Sequence, residues 1–170
     1  PRSYGPEIVK GRRLGLTTSN GTRVLSKLSG QDAVYIGCFL NASYLAAKVW
    51  GSNYTHCFIV CAGTSGLFSL EDFLGAGYIT SVLNEHKQCT LGDGARAAEV
   101  CFEAMKGDLV ELLLSSRHGR ELVALGLKED VIFCAQKDIF NVVPVFALGL
   151  IRPLREVPPS EATTANRPSR

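Results

Sequence analysis

The 170-residue sequence has no apolar run approaching the ~18 residues that would cross a membrane as a helix. It has no Cys-x-x-Cys pair, which removes the commonest ligand spacing for zinc. No glycine loop ends in Lys-Ser or Lys-Thr, so a P-loop for nucleotides is excluded. Gly63-Thr64-Ser65-Gly66 lacks the Gly-x-Ser-x-Gly spacing of a hydrolase elbow. Neither Cys57 nor Cys61 has an arginine six residues on, as a phosphate-binding cysteine loop requires. Charge of one sign is also scarce: the net value is +2, too small and too dispersed for a nucleic-acid face. No internal repeat is present, and the opening residues carry no signal-peptide pattern.

What is there is an ordinary globular composition, 46% hydrophobic and 20% charged, long enough for one domain with a real core. Cys38, Cys57, Cys61 and Cys134 fall within apolar, strand-like runs, where a thiol behaves as a small buried hydrophobe. Reduced cysteines and a cytoplasmic protein are therefore expected.

Strands are predicted at Arg13–Thr18, Ala33–Gly37, Thr55–Ala62, Val131–Ala135 and Val142–Leu148. Thr55–Ala62 is apolar on both faces, as a buried parallel strand should be. Helices are predicted over Gly21–Ser29, from an Asn41 cap to Trp50, over Leu70–His86, over Gly94–Met105 with Asp93 as cap, over Leu109–Ser115 with Asp108 as cap, and over Gly119–Leu125. Strands alternating with helices predict an α/β fold of three layers, a mostly parallel sheet with helices on both faces. Residues 1–155 form the domain on this reading. Residues 156–170, rich in Pro, Ser and Thr, form a disordered tail.

Three junctions where a strand feeds a polar loop and a helix start suggest one composite site at the carboxyl edge of the sheet. The first, Thr17 to Arg23, offers hydroxyls, backbone N–H groups and Arg23 to an anion; equally, it is a polar turn capped by Asn20 or Thr22. The second, Phe39 to Asn41, precedes a helix. The third, Gly63 to Ser65, leads to Glu71 and Asp72, carboxylates suited to a hard divalent cation such as magnesium. Ser69-x-x-Asp72 is also a capping box, and acids in a first turn complement the helix dipole. Arg117-His118-Gly119-Arg120 can bind phosphate or give a proton to a leaving group, or can solubilise a surface loop. His56 and His86 have no convincing acid or base partner and are read as structural or exposed.

Taken in order, Val9-Lys10-Gly11, Thr17 to Arg23, Ile36 to Ala42, Cys61 to Thr64 with Phe68 to Phe73, Ser116 to Arg120, and Phe133 to Asp138 resemble the 2-phosphosulfolactate phosphatase family. The resemblance covers Val9 to about Pro144. It implies magnesium-dependent hydrolysis of a phosphate ester on a small sulfonated hydroxy acid, a step towards coenzyme M. It further implies Glu71, Asp72 and His118 as catalytic, and Glu71 and Asp72 as metal ligands. Asn20, Gly21, Thr22, Arg23, Asn41, Thr64 and Arg120 would bind substrate. Ser19 stands where the family has a third Thr, which keeps the hydroxyl. Family members carry an earlier Asp-Val-Leu-Arg-Ala-Thr type segment that nothing here matches. The chain is accordingly expected to be the C-terminal portion of the family domain, with little activity alone. It would pair with the missing portion or with a second copy, and bind neither nucleic acid nor membrane. A non-catalytic anion-binding domain, or a phosphatase for another small phosphorylated acid, is the alternative.

Overall fold

A computed structural model describes residues 4–15, 18, 20–31, 33–86 and 89–154. Within them the chain runs α1 (Pro6–Val9), α2 (Gly21–Lys27), β1 (Val34–Tyr35), a 3-10 turn at Phe39–Asn41, α3 (Ala42–Trp50), α4 (Leu70–His86), α5 (Asp93–Met105), a 3-10 turn at Lys106–Asp108, α6 (Leu109–Ser115), α7 (Arg117–Ala124), α8 (Lys128–Cys134), β2 (Pro144–Ala147) and β3 (Leu150–Pro153).

The core is built around α4. Its apolar residues point to all sides rather than one, the pattern of a helix enclosed by neighbours. Leu74 is fully buried on it, beside Phe39, Phe102, Leu109, Leu113, Val131 and Ala135. Phe39, Tyr78 and Phe102 form a ring cluster with centroids 4.9 to 6.3 Å apart. A smaller cluster joins Ile79 of α4 to Ala42 and Leu45 of α3 and to Val143. α4 and α5 approach closely because position 77 is glycine: a Cβ there would collide with the Ala98 carbonyl and with Phe102.

The sheet differs from the sequence-based expectation. Among the described residues it has three strands in the order β1-β2-β3, antiparallel throughout. Val34 pairs with Phe146, and β2 and β3 form a hairpin that aligns Ala147 with Leu150. Leu148 and Gly149 turn that hairpin with φ of 51° and 75°, the paired positive values of a tight turn that matches strand twist. The mixture of helix and strand was legible, but the described residues do not form a mostly parallel sheet with helices on both faces. The reason lies at Thr55–Ala62. Among the described residues no strand pairs with it, and residues 55–61 are exposed.

Two further expectations change. Val131–Ala135 is no strand but lies mostly in α8, which Glu129 and Asp130 open with charges that favour a helix N-terminus. A short apolar run cannot by itself distinguish the two. Arg13–Gly15 and Thr18 form no strand; residues 16, 17 and 19 lie outside the described set, as does the tail at 156–170. Cys38, Cys57, Cys61 and Cys134 are exposed free thiols rather than buried ones; the two runs that hold Cys57, Cys61 and Cys134 did not become sheet strands, and Cys38 lies beyond the end of β1.

Candidate active site

Ser69 begins the site. Its hydroxyl accepts the Asp72 backbone N–H at 3.2 Å, so it caps α4 as the sequence implied. The reciprocal half of a capping box is not made. The Asp72 carboxylate accepts instead from the Gly63 N–H at 2.8 Å, pinning the preceding loop to the helix start. Gly63 sits at φ 70° with the Leu67 carbonyl where a Cβ would be, so only glycine lets the loop approach this closely.

Glu71, one residue earlier, turns to a different partner set. One carboxylate oxygen accepts from the Ser69 hydroxyl at 2.9 Å and the other from the Ser116 hydroxyl. Burial pushes its pKa up. Hydrogen bonds from Ser116, from its own backbone and from Ser69, together with the charge of His118, outweigh this and leave it below the usual range. Ser116 is placed by its own helix. It caps α7, accepting from Gly119 N–H at 2.9 Å, and a side chain at 119 would collide with the Leu113 carbonyl.

These side chains border a cavity of about 150 Å³, lined also by Thr64, Phe68, Arg117 and His118. Arg117 donates to the Thr64 carbonyl at 3.4 Å, and His118 Nδ1 lies 3.0 Å from Glu121. The cavity therefore joins a carboxylate held ionised, two serine hydroxyls, a guanidinium and an imidazole. The oxygens among them are hard donors. Magnesium characteristically takes one or two carboxylates and completes its shell with water and phosphate oxygens. Glu71 fits that role. Among the described residues no group of three or more His, Cys, Asp or Glu side chains gathers, so the chain offers a partial shell only.

The remaining sequence candidates are distributed as follows. Asn20 accepts from Ser65 N–H at 3.0 Å, so the first and third junctions do meet. Thr22 is folded back on Thr18 through bonds of 3.0 and 2.7 Å, and the Thr18 hydroxyl sits 3.3 Å from where a Gly21 Cβ would be. Arg23 is exposed on α2, and no hydrogen bond or ion pair engages its guanidinium among the described residues. Asn41, expected to cap α3, makes no cap bond and is 4% exposed. Its amide accepts from Cys38 N–H at 2.9 Å and donates to the Ile36 and Val142 carbonyls at 3.2 and 2.9 Å. The second junction is thus tied to the segment entering β2. Arg120 points to the Ser115 carbonyl and does not line the cavity, whereas Arg117 does. His56 is exposed and bonds to Thr55 at 3.0 Å.

Sequence reasoning assigned no role to Ser116 or Asp138, and within Arg117–Arg120 it gave substrate binding to Arg120 rather than Arg117. The signal for Ser116 was a serine directly ahead of a helix. Asp138, at φ 54°, accepts from the Ser43 N–H and hydroxyl at 2.7 Å each and from the Tyr78 hydroxyl, anchoring the start of α3 to α4. Tyr78 is pushed up to about 12 by burial and then by that carboxylate.

A family model described as 2-phosphosulpholactate phosphatase matches residues 1–149. A probable 2-phosphosulfolactate phosphatase of Thermotoga petrophila is 40% identical over 162 residues, covering 93% of this chain and 66% of the relative. Its namesake in Thermotoga maritima gives the same three figures. That of Caldanaerobacter subterraneus subsp. tengcongensis is 38% identical over 152 residues, 89% of this chain and 63% of the relative. The chain thus spans slightly less than two thirds of these relatives' lengths. A match that takes in the Glu71 loop, the Ser116–Arg120 turn and Asp138 alike, with identities at this level, places the chain in the 2-phosphosulpholactate phosphatase family.

Proposed function

We propose that this chain carries part of the site of a magnesium-dependent phosphatase that converts 2-phosphosulfolactate and water to sulfolactate and phosphate. One observation supports this above the others: Glu71, held ionised by two serine hydroxyls, shares a small cavity with Arg117 and His118. Arg117 suits a phosphate or sulfonate oxygen through charge-assisted bonds. His118 is within the same cavity and can hold a proton for the leaving alkoxide as the ester P–O bond breaks and water oxygen joins phosphorus. The lowered pKa of Glu71 makes it a poor base and a good fixed negative charge. Glu71, with Asp72 behind it holding the Gly63 loop, would hold the ion, which when bound neutralises charge on the phosphoryl group. The Arg23 side chain completes the anion-binding rim in this reading, its segment joined to the Thr64 loop through the Asn20–Ser65 bond.

Calorimetric titration of the full chain with inorganic phosphate, with and without magnesium, tests the assignment. Phosphate should bind at least tenfold more tightly with magnesium, and Glu71→Gln should remove that gain while leaving the melting temperature within a few degrees. Binding indifferent to both magnesium and Glu71→Gln would remove Glu71 from the site.

A further inference from the structure

The six residues Cys57-Phe58-Ile59-Val60-Cys61-Ala62 follow α3 and precede α4, yet they adopt neither helix nor strand. Among the described residues none of their backbone N–H or C=O groups makes a hydrogen bond. Its side chains are no better covered. Phe58 is 85% and Val60 54% exposed, and Ile59 is exposed as well. Beside it, Cys61, Leu67, Phe68 and Phe73 line an apolar hollow of about 280 Å³. β-Branched and aromatic residues on both faces describe an interior strand, not a surface loop. A water-facing run of this kind is a template for another strand.

The relatives indicate what occupies it. Each extends about a third of its length beyond the part this chain matches. Among the described residues, β1 pairs with β2 alone in the antiparallel sheet, and nothing pairs with the 57–62 run. We propose that an apolar strand from this remaining third of the family polypeptide pairs with Cys57–Ala62 and covers Phe58 and Val60. The mode is strand addition: main-chain bonds supply affinity, and alternate side chains supply fit. Pairing would also fix the exit of the run into Gly63 and Thr64, and through Asp72 the start of α4. The inference concerns assembly and stands whether or not the proposed reaction is correct.

The test uses the full chain co-expressed with the unmatched third of the Thermotoga maritima relative as a separate polypeptide. Hydrogen exchange is read by mass spectrometry with and without that partner. The two should co-purify, and amides between Cys57 and Ala62 should exchange at least a hundredfold more slowly in the complex. Val60→Pro removes one of these donors, and Phe58→Ser tests the covered face without touching the backbone. Each should weaken co-purification at least tenfold while leaving the circular dichroism of the chain alone unchanged. Failure to co-purify overturns the proposal, as does a complex in which these amides remain fast. Protection that appears in the chain alone and grows with its concentration would overturn it in favour of pairing between two copies.

Discussion

At the scale of single residues, the site depends on hydroxyls that hold one carboxylate ionised. Ser116 does this while capping α7, so Ser116→Ala should have two separable effects. Losing the cap should cost about 1 kcal/mol in urea denaturation. Losing the bond to Glu71 should raise that carboxyl's pKa, read by NMR titration. Because the folded pKa of Glu71 lies below its ordinary value of 4.5, its stabilising contribution is complete above that pH. It is lost as pH falls through the lower folded value. The variant should therefore lose less stability than the parent as pH falls below 4.5. An unshifted acid limb would mean that the Ser69 bond and His118 alone keep Glu71 ionised. Arg23 offers a second test. Its guanidinium is uncommitted among the described residues, and Arg23→Ala should weaken phosphate binding by roughly tenfold to a hundredfold, the worth of one charge-assisted bond. Unchanged affinity in a folded variant would reduce the start of α2 to a turn.

Glu71, Asp72 and His118 could be picked from sequence because two acids in a first turn, and a histidine beside arginines, are visible as residue types. Their division of labour could not. Whether Asp72 returns to its own cap or reaches Gly63 depends on where a loop nine residues away comes to lie. Arg117 and Arg120 are likewise indistinguishable until helix phase decides which one meets Thr64 and which one turns to Ser115.

Among elements, α4 was predicted with the boundaries it has, since a serine cap, two acids in the first turn and a seventeen-residue stretch without proline mark it. α8 and the β2–β3 hairpin were not. Four apolar residues fit either period, and Leu148-Gly149 lacks the Asn-Gly or Asp-Gly that marks such a turn. Two predictions belong here. Gly77→Ala should raise intrinsic helix propensity by up to about 1 kcal/mol yet destabilise the protein by a net ~1–3 kcal/mol, because the added methyl meets backbone. A thermal melt shifted upward would show that α4 and α5 can part cheaply. Tyr35 and Tyr78 are both pushed up to about 12, primarily by burial and then by Tyr54 and Asp138 respectively. Their raised folded values give stability that is full below pH 10 and lost as pH rises towards 12. Tyr78→Phe should flatten part of that alkaline loss in denaturant titrations across the same window.

For the whole molecule, the error in the predicted sheet has one source. Alternation of apolar runs and helices is a correct reading of strand-like sequence, but a strand exists only where a second one lies beside it, and a single sequence does not display its neighbours. The helices were recoverable because their hydrogen bonds close within the element. The hairpin and β1 form between partners that both lie among the described residues, whereas Cys57–Ala62 meets none there.

The missing side chain at position 77 also settles what can move. With the Ala98 carbonyl seated against it, α4 and α5 form one rigid strut, and the Ser69 and Glu71 end of α4 is the immobile wall of the cavity. The opposite wall is held by hydrogen bonds: from Gly63 to Asp72, from Ser65 to Asn20, from Arg117 to Thr64, and in the four-residue turn closed by the bridge between Thr64 and Leu67. Any opening of this cavity is expected to begin at that wall rather than at the packed helix pair.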